Sequence, residues 1–154
     1  MNRTFAVSLA AASCVGLMIF GVKVTNVRGG AEPSRVRIAE GRAIYLKFCA
    51  ACHGVNLEGQ PDWQRRLPSG TLPAPPHDAS GHTWHHGMSV LFKITKLGAS
   101  AVVGGGYRSD MAGFGGVLND DQISATLEYI RSTWPERERA YHEEMNRREL
   151  QEAK

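Results

Sequence analysis

A chain of 154 residues has room for one domain of ordinary size, and 42% hydrophobic with 21% charged residues reads as globular rather than disordered. A net charge of +3, with no Lys/Arg cluster interleaved with aromatics, gives no ground for nucleic acid as a partner. Glycine is abundant at 17 residues, and many fall between 98 and 116, which predicts a long shaped loop rather than low complexity.

In chain order, Phe5 to Val22 (FAVSLAAASCVGLMIFGV) carries no charge. As a helix it would span about 27 Å, enough for a hydrocarbon core. Residues 1–22 are therefore read as a signal-anchor, with a cleaved signal peptide as the alternative. The run is long for the apolar part of a signal, and its end, IFGVKV, offers no small-x-small cleavage site. Apolar sequence continues past Cys14, which argues against a lipoprotein and leaves that cysteine a small apolar residue of the span. Arg3 precedes the run while Lys23 and Arg28 follow it, so charge alone does not favour an outside C-terminus.

Residues 23–34, with Gly29, Gly30 and Pro33, read as a linker. RVRIAEGRAIYLKFCAAC (35–52) reads as a helix in which Gly41, Ile44, Tyr45 and Phe48 share a face. A glycine there costs about 1 kcal/mol against alanine, which suggests a neighbour close to its backbone. Residues 54–87, rich in Gly, Pro and His, read as loop, stiffened at PAPP (73–76). SVLFKITKLG (89–98) is a short helix with Val90, Ile94 and Leu97 on one face and Gly98 as its stop. Residues 99–118 are a second long loop. Two such loops in so small a domain point to function or to a bound group. NDDQISATLEYIRSTWP (119–135) is the strongest helix, capped by Asn119 with Gln122 in a capping-box position. Its stripe is Ile123, Leu127, Ile130 and Trp134, and Pro135 ends or kinks it. The tail 136–154, with six acids and five bases, reads as a solvated helical extension, with an interaction helix as the alternative. The fold class is all-α, and three short helices make little core, so a large apolar cofactor would supply what is missing.

Residues 49–54 read CAACHG. Four chemistries compete for such a group. A thioredoxin-like redox pair wants a strand before the motif, and none is predicted. A zinc site would need two histidines from 77–86, at a spacing that fits no common finger. A disulfide or two buried thiols is the third. The fourth is covalent haem: cysteines at i and i+3 share one side of a helical turn and can both add to vinyl groups, and the next histidine is held under the iron. One macrocycle would engage Cys49, Cys52 and His53 together, and covalent attachment would keep it in a domain too small to enclose it. Haem of this kind is attached outside the cytoplasm, which places the residues after 23 on the periplasmic side.

Iron held by one histidine takes a second axial ligand or keeps an open site. Met1, Met18 and Met145 lie at the start, in the apolar run and in the charged tail, which leaves Met88 and Met111. Met111, in the glycine-rich loop before the last helix, is the better placed to cover the other haem face, and Met88 reads as a packing residue. A histidine ligand, an open site, and a Met111 that only packs on the ring edge are the alternatives.

Gly41-x3-Tyr45-x3-Cys49-x-x-Cys52-His53, then Met111-x-x-Phe114, then a last helix ending EYIRSTWP, resemble a class I, single-haem cytochrome c of the membrane-anchored bacterial type, over about residues 36–135. The resemblance implies a cytochrome c fold: three or more helices around one covalent haem, in a domain spanning 35–135. It implies that the first and last helices cross with Gly41 against Tyr129, and that a loop carbonyl, for which Pro75 is the choice, accepts the proximal histidine's Nδ1–H. The family more often has proline after the ligand methionine. Ala112 stands there instead, which predicts a less stiff loop and an iron–sulfur bond easier to break.

His77, His82, His85 and His86 fall within HDASGHTWHH. Three expectations compete: hydrogen bonds from one or two of them, with the Trp84 indole, to haem propionates; a second metal such as copper at His82 and His86; or a plain polar loop. Similar PPHD…GHTWHH stretches occur in a bacterial subgroup of single-haem cytochromes. The function expected is that of a one-electron carrier rather than an enzyme, with one haem c, single-pass in the inner membrane, serving redox partners such as a respiratory complex, an oxidase or a copper protein. The alternatives are a haem enzyme or sensor with a labile methionine, acting on peroxide or nitrite or binding a gas, and a copper-handling module.

Overall fold

A computed structural model of the protein describes residues 33–152. The predicted anchor, Cys14 and all but the last two residues of the predicted linker lie outside the described residues. Among the described residues no helix is long and apolar enough to cross a membrane.

Helix α1 runs Arg35–Phe48, and Ser34 starts it by accepting the Arg37 N–H. The single helix predicted over 35–52 is two. Cys49 departs from helical geometry at φ −114°, and a short α2, Ala50–His53, follows. The break is mild: Cys49 N–H still donates to Tyr45 O, and His53 N–H to Cys49 O. Gly54, at φ 82°, then turns the chain away.

The loop to residue 82 is irregular, as predicted, and ends in a 3-10 turn over Thr83–His85. Helix α3, Met88–Leu97, starts at its predicted place. Its buried face is Leu91 and Thr95 rather than Val90, Ile94 and Leu97, and Leu97 is exposed. The predicted face fails because α3 is contacted from several sides: α5 and α6 both pack on it, while Ile94 borders a cavity. The second predicted loop contains a one-turn helix, α4, Ala99–Val103, which follows Gly98 directly.

Helix α5, Asp120–Ser132, carries the predicted capping box between Asn119 and Gln122. Its stripe is inside: Ile123, Leu127, Ile130 and Trp134 are all buried. Pro135 separates it from α6, Glu136–Glu152, whose Arg139 N–H donates to Pro135 O. The tail is helical but is not a solvated extension. It buries Glu138 and His142, and packs on the 3-10 turn and on α3.

Helices α1 and α5 form the principal contact. A Cβ on Gly41 would lie 1.9 Å from Ala125 O and 3.0 Å from Tyr129 Cβ, so only glycine permits this approach. The predicted Gly41–Tyr129 crossing is present, and Ala125 comes closer still. Arg37 pairs with Glu128 across it, and the rings of Tyr45 and Tyr129 meet at 5.5 Å. Among the described residues the architecture is all-α, and the sole β feature is an isolated bridge between Gly98 and Ala112.

Candidate functional site

The elements enclose a cavity of about 600 Å³, within the range of small-molecule and cofactor sites. Its walls are mainly aliphatic and aromatic: Phe48 from α1, Leu91 and Ile94 from α3, Leu127 and Ile130 from α5, and Phe114 and Leu72 from the loops. Cys49, Cys52 and His53 line this one cavity together with Met111, which lies more than fifty positions further along the chain.

His53 closes α2 and is 7% exposed. Its Nδ1 lies 2.8 Å from Pro75 O, the carbonyl expected to receive it. A carbonyl only accepts, so Nδ1 carries the proton and Nε2 keeps its lone pair. Burial pushes the imidazole below its ordinary pKa, opposed by the Pro75 bond, so the ring is a neutral base of defined tautomer. Tyr45 Oη donates to Gly54 O at 2.8 Å and ties the end of the motif to α1.

Cys49 and Cys52 are not joined in a disulfide. Burial, and then its neighbour Cys52, pushes the Cys49 thiol up to about 11. A redox-active Cys-x-x-Cys pair needs the opposite shift, which argues against thiol–disulfide chemistry. Among the described residues no group of three or more His, Cys, Asp or Glu side chains is placed to hold a metal ion. His82 and His86 are near one another, ring centroids 5.4 Å apart, while His85 turns away to pack on Trp84 and Tyr141.

Met111 is half-buried, and its loop is sewn to the end of α3. Ser109 Oγ accepts the Met111 N–H, Ala99 N–H donates to Met111 O, and the Phe114 and Gly115 N–H groups donate to Thr95 O and Lys96 O. Gly98, at φ 90°, allows the tight corner where Ala112 forms its bridge. Main-chain bonds to α3 and its end thus flank Ala112 on both sides. Met88 is not on the cavity: it packs against the core, with its N–H bonded to Asn146 Oδ1.

The histidine stretch divides. His77, His82 and His86 border the cavity, while Trp84, expected near it, does not. The 3-10 turn faces Trp84 and His85 toward Tyr141 on α6, and the Trp84 Nε1 is buried without a partner. The indole at the cavity is Trp63, stacked on His82 at 5.1 Å and 9°. Sequence reasoning missed it; a lone aromatic in the polar run QPDWQRR was the signal available. A stacking partner of the His53 ring was also missed: His77 lies on it, ring centroids 4.0 Å apart.

An all-helical frame around an apolar cavity, entered by two thiols and a neutral imidazole from one Cys-x-x-Cys-His segment, defines a small haem-protein architecture. The sequence pattern of one family, described as Cytochrome c, matches residues 38–134, and the chain belongs to the cytochrome c family. It binds c-type haem covalently, one being the usual number, and domains of this family serve haem-based electron transfer. The residues present fit that group: the cavity has the size and apolarity, and it presents thiols and an imidazole lone pair. No curated protein and no solved structure matches the chain.

Proposed function

We propose that the chain is a one-electron carrier with a single haem c, attached through Cys49 and Cys52 and ligated by His53 and Met111. The observation that carries this is the meeting of the His53 imidazole, its Nδ1–H held by Pro75 O, with the Met111 side chain on one cavity. Haem supplies, when bound, a ferric/ferrous couple that takes up and returns one electron. The chain's own contribution is to hold everything around it still. Pro75 fixes the His53 tautomer, the apolar walls exclude water, and the bonds of Met111 and Phe114 to α3 and its end hold the thioether in place. A filled sixth position separates a carrier from an enzyme that needs an open one, and the pinned loop favours the filled state over the labile-methionine reading. Phe5 to Val22 serves as a single membrane anchor in the inner membrane, with the haem domain in the periplasm. Redox proteins dock at the cavity's edge through a small, weak interface.

The test is the optical spectrum of the oxidised holoprotein. A methionine-to-ferric charge-transfer band is expected, lost in Met111→Ala together with a fall in reduction potential. A high-spin ferric spectrum in the unaltered protein would refute the carrier assignment. Intact mass of the mature chain, with membrane fractionation, decides the anchor.

A further inference from the structure

We propose that His77 is a positioning residue for the proximal imidazole: its ring, lying flat on that of His53, sets the rotation of the His53 plane within the cavity. This rests on the assignment of His53 as an axial ligand. The two ring centroids are 4.0 Å apart with 22° between planes. The bond from Nδ1 to Pro75 O restrains rotation about Cβ–Cγ at one edge of the His53 ring only. A flat plate against the ring face supplies the second restraint.

The plate is itself held by side-chain and main-chain contacts. His77 Nδ1 lies 2.8 Å from Thr83 Oγ1, which fixes its rotation. The His77 N–H donates to Leu57 O at 2.7 Å, and the Trp134 Nε1–H donates to His77 O at 2.7 Å. Tyr45 of α1 meets the ring edge-on, centroids 6.3 Å apart. The His53 plane is thereby referred to α1 through Tyr45 and to the end of α5 through Trp134. A leucine would fill similar volume without a flat face, and burying an imidazole is costly unless it is hydrogen-bonded.

The experiment uses ferric holoprotein and reads the haem-methyl proton shifts and the EPR g values, which depend on the orientation of the axial imidazole plane. His77→Phe is expected to keep the order of the methyl resonances. His77→Leu, which keeps bulk without a ring, is expected to reorder them, and so is His77→Ala; the leucine variant decides if alanine does not fold. A wild-type methyl pattern in His77→Leu overturns the proposal, as does a shift in His77→Phe as large as that in His77→Leu. His53→Ala separates the two levels. A low-spin spectrum unaltered by that change overturns the ligand assignment and this proposal with it. If His53→Ala alters the spectrum and His77→Leu does not, only the positioning role is lost.

Discussion

Replacing Gly41 by alanine sets two effects of opposite sign against each other. Alanine is the better helix former by about 1 kcal/mol, so propensity alone predicts stabilisation. The crossing predicts the reverse. The new Cβ would sit 1.9 Å from Ala125 O and 2.5 Å from Ala125 C, both main-chain atoms of α5 that no rotamer change can move. A close carbon–oxygen contact is about 3.3 Å, so α1 and α5 must part by roughly 1.4 Å. That separation loosens the Tyr45–Tyr129 contact and the Arg37–Glu128 pair together. Overpacking of this kind costs about 3 kcal/mol at the upper end, and after the propensity gain the net loss is about 2 kcal/mol. For a domain of this size that lowers the melting temperature by roughly 10 °C. Thermal unfolding of the holoprotein by far-UV circular dichroism measures it. Ala43→Gly, at an exposed position of the same helix, serves as the propensity control at about 1 kcal/mol. A Gly41→Ala protein melting at or above the wild-type temperature would show that the helices are not in the contact described.

Two further changes test the surroundings of the site. Tyr45→Phe removes the donor to Gly54 O while the longer bond from Leu57 N–H, at 3.3 Å, remains; a loss of about 1 kcal/mol in denaturant titration is expected, and no loss would mean that the hydroxyl does not hold the motif. His142 is fully buried in α6 against Trp134. Burial first and the Arg131 guanidinium second hold its pKa below the ordinary value, against weaker upward pulls from the His86 main chain, Glu149 and Glu143. The unfolded chain therefore takes up a proton that the folded chain resists. The stability of the neutral ring is full above the unfolded pKa of about 6.5 and falls as pH drops below it. His142→Phe should lose less stability than wild type between pH 7 and pH 5, and equal losses in the two proteins would exclude this histidine as the source.

What could be read from the sequence was local. Cys49, Cys52 and His53 declare themselves because their chemistry needs fixed spacing along one helical turn. Asn119 with Gln122, and the stripe from Ile123 to Trp134, follow from capping and from a period of 3.6 on a helix with one buried side. Pro75 O and the Gly41 crossing came from the family resemblance, and local pattern alone would not have found either partner. The misses share a cause. Leu97 was assigned inward by periodicity, yet it ends a short helix where the chain turns at Gly98. Trp84 was assigned to the cavity because it sits among histidines, but a 3-10 turn aims neighbouring side chains in different directions. Nothing in a charged run of Glu and Arg marked His142 as the one side chain of α6 with no exposure at all, because its partner Trp134 lies outside the helix, in the bend before it.

The family match ends at residue 134 and α6 begins at Glu136, yet the helix is tied to the site rather than appended to it. Its exposed surface is strongly charged, and a charged helix of this length is not held in place by propensity alone. What holds it is the face that carries His142, Asn146 and Glu149. Asn146 Oδ1 accepts the Met88 N–H and Glu149 accepts from Ser89 Oγ, so α6 satisfies the start of α3. His142 packs edge-to-face on Trp134 at 5.0 Å, Trp134 donates to His77 O, and His77 lies on the His53 ring. Burying the Trp84 indole with no hydrogen bond costs free energy at its polar atom. A tail that served only solubility would have no reason to carry that cost. A brace behind the segment that orients the proximal imidazole would, because it holds the outer side of the histidine segment whose inner side lines the cavity.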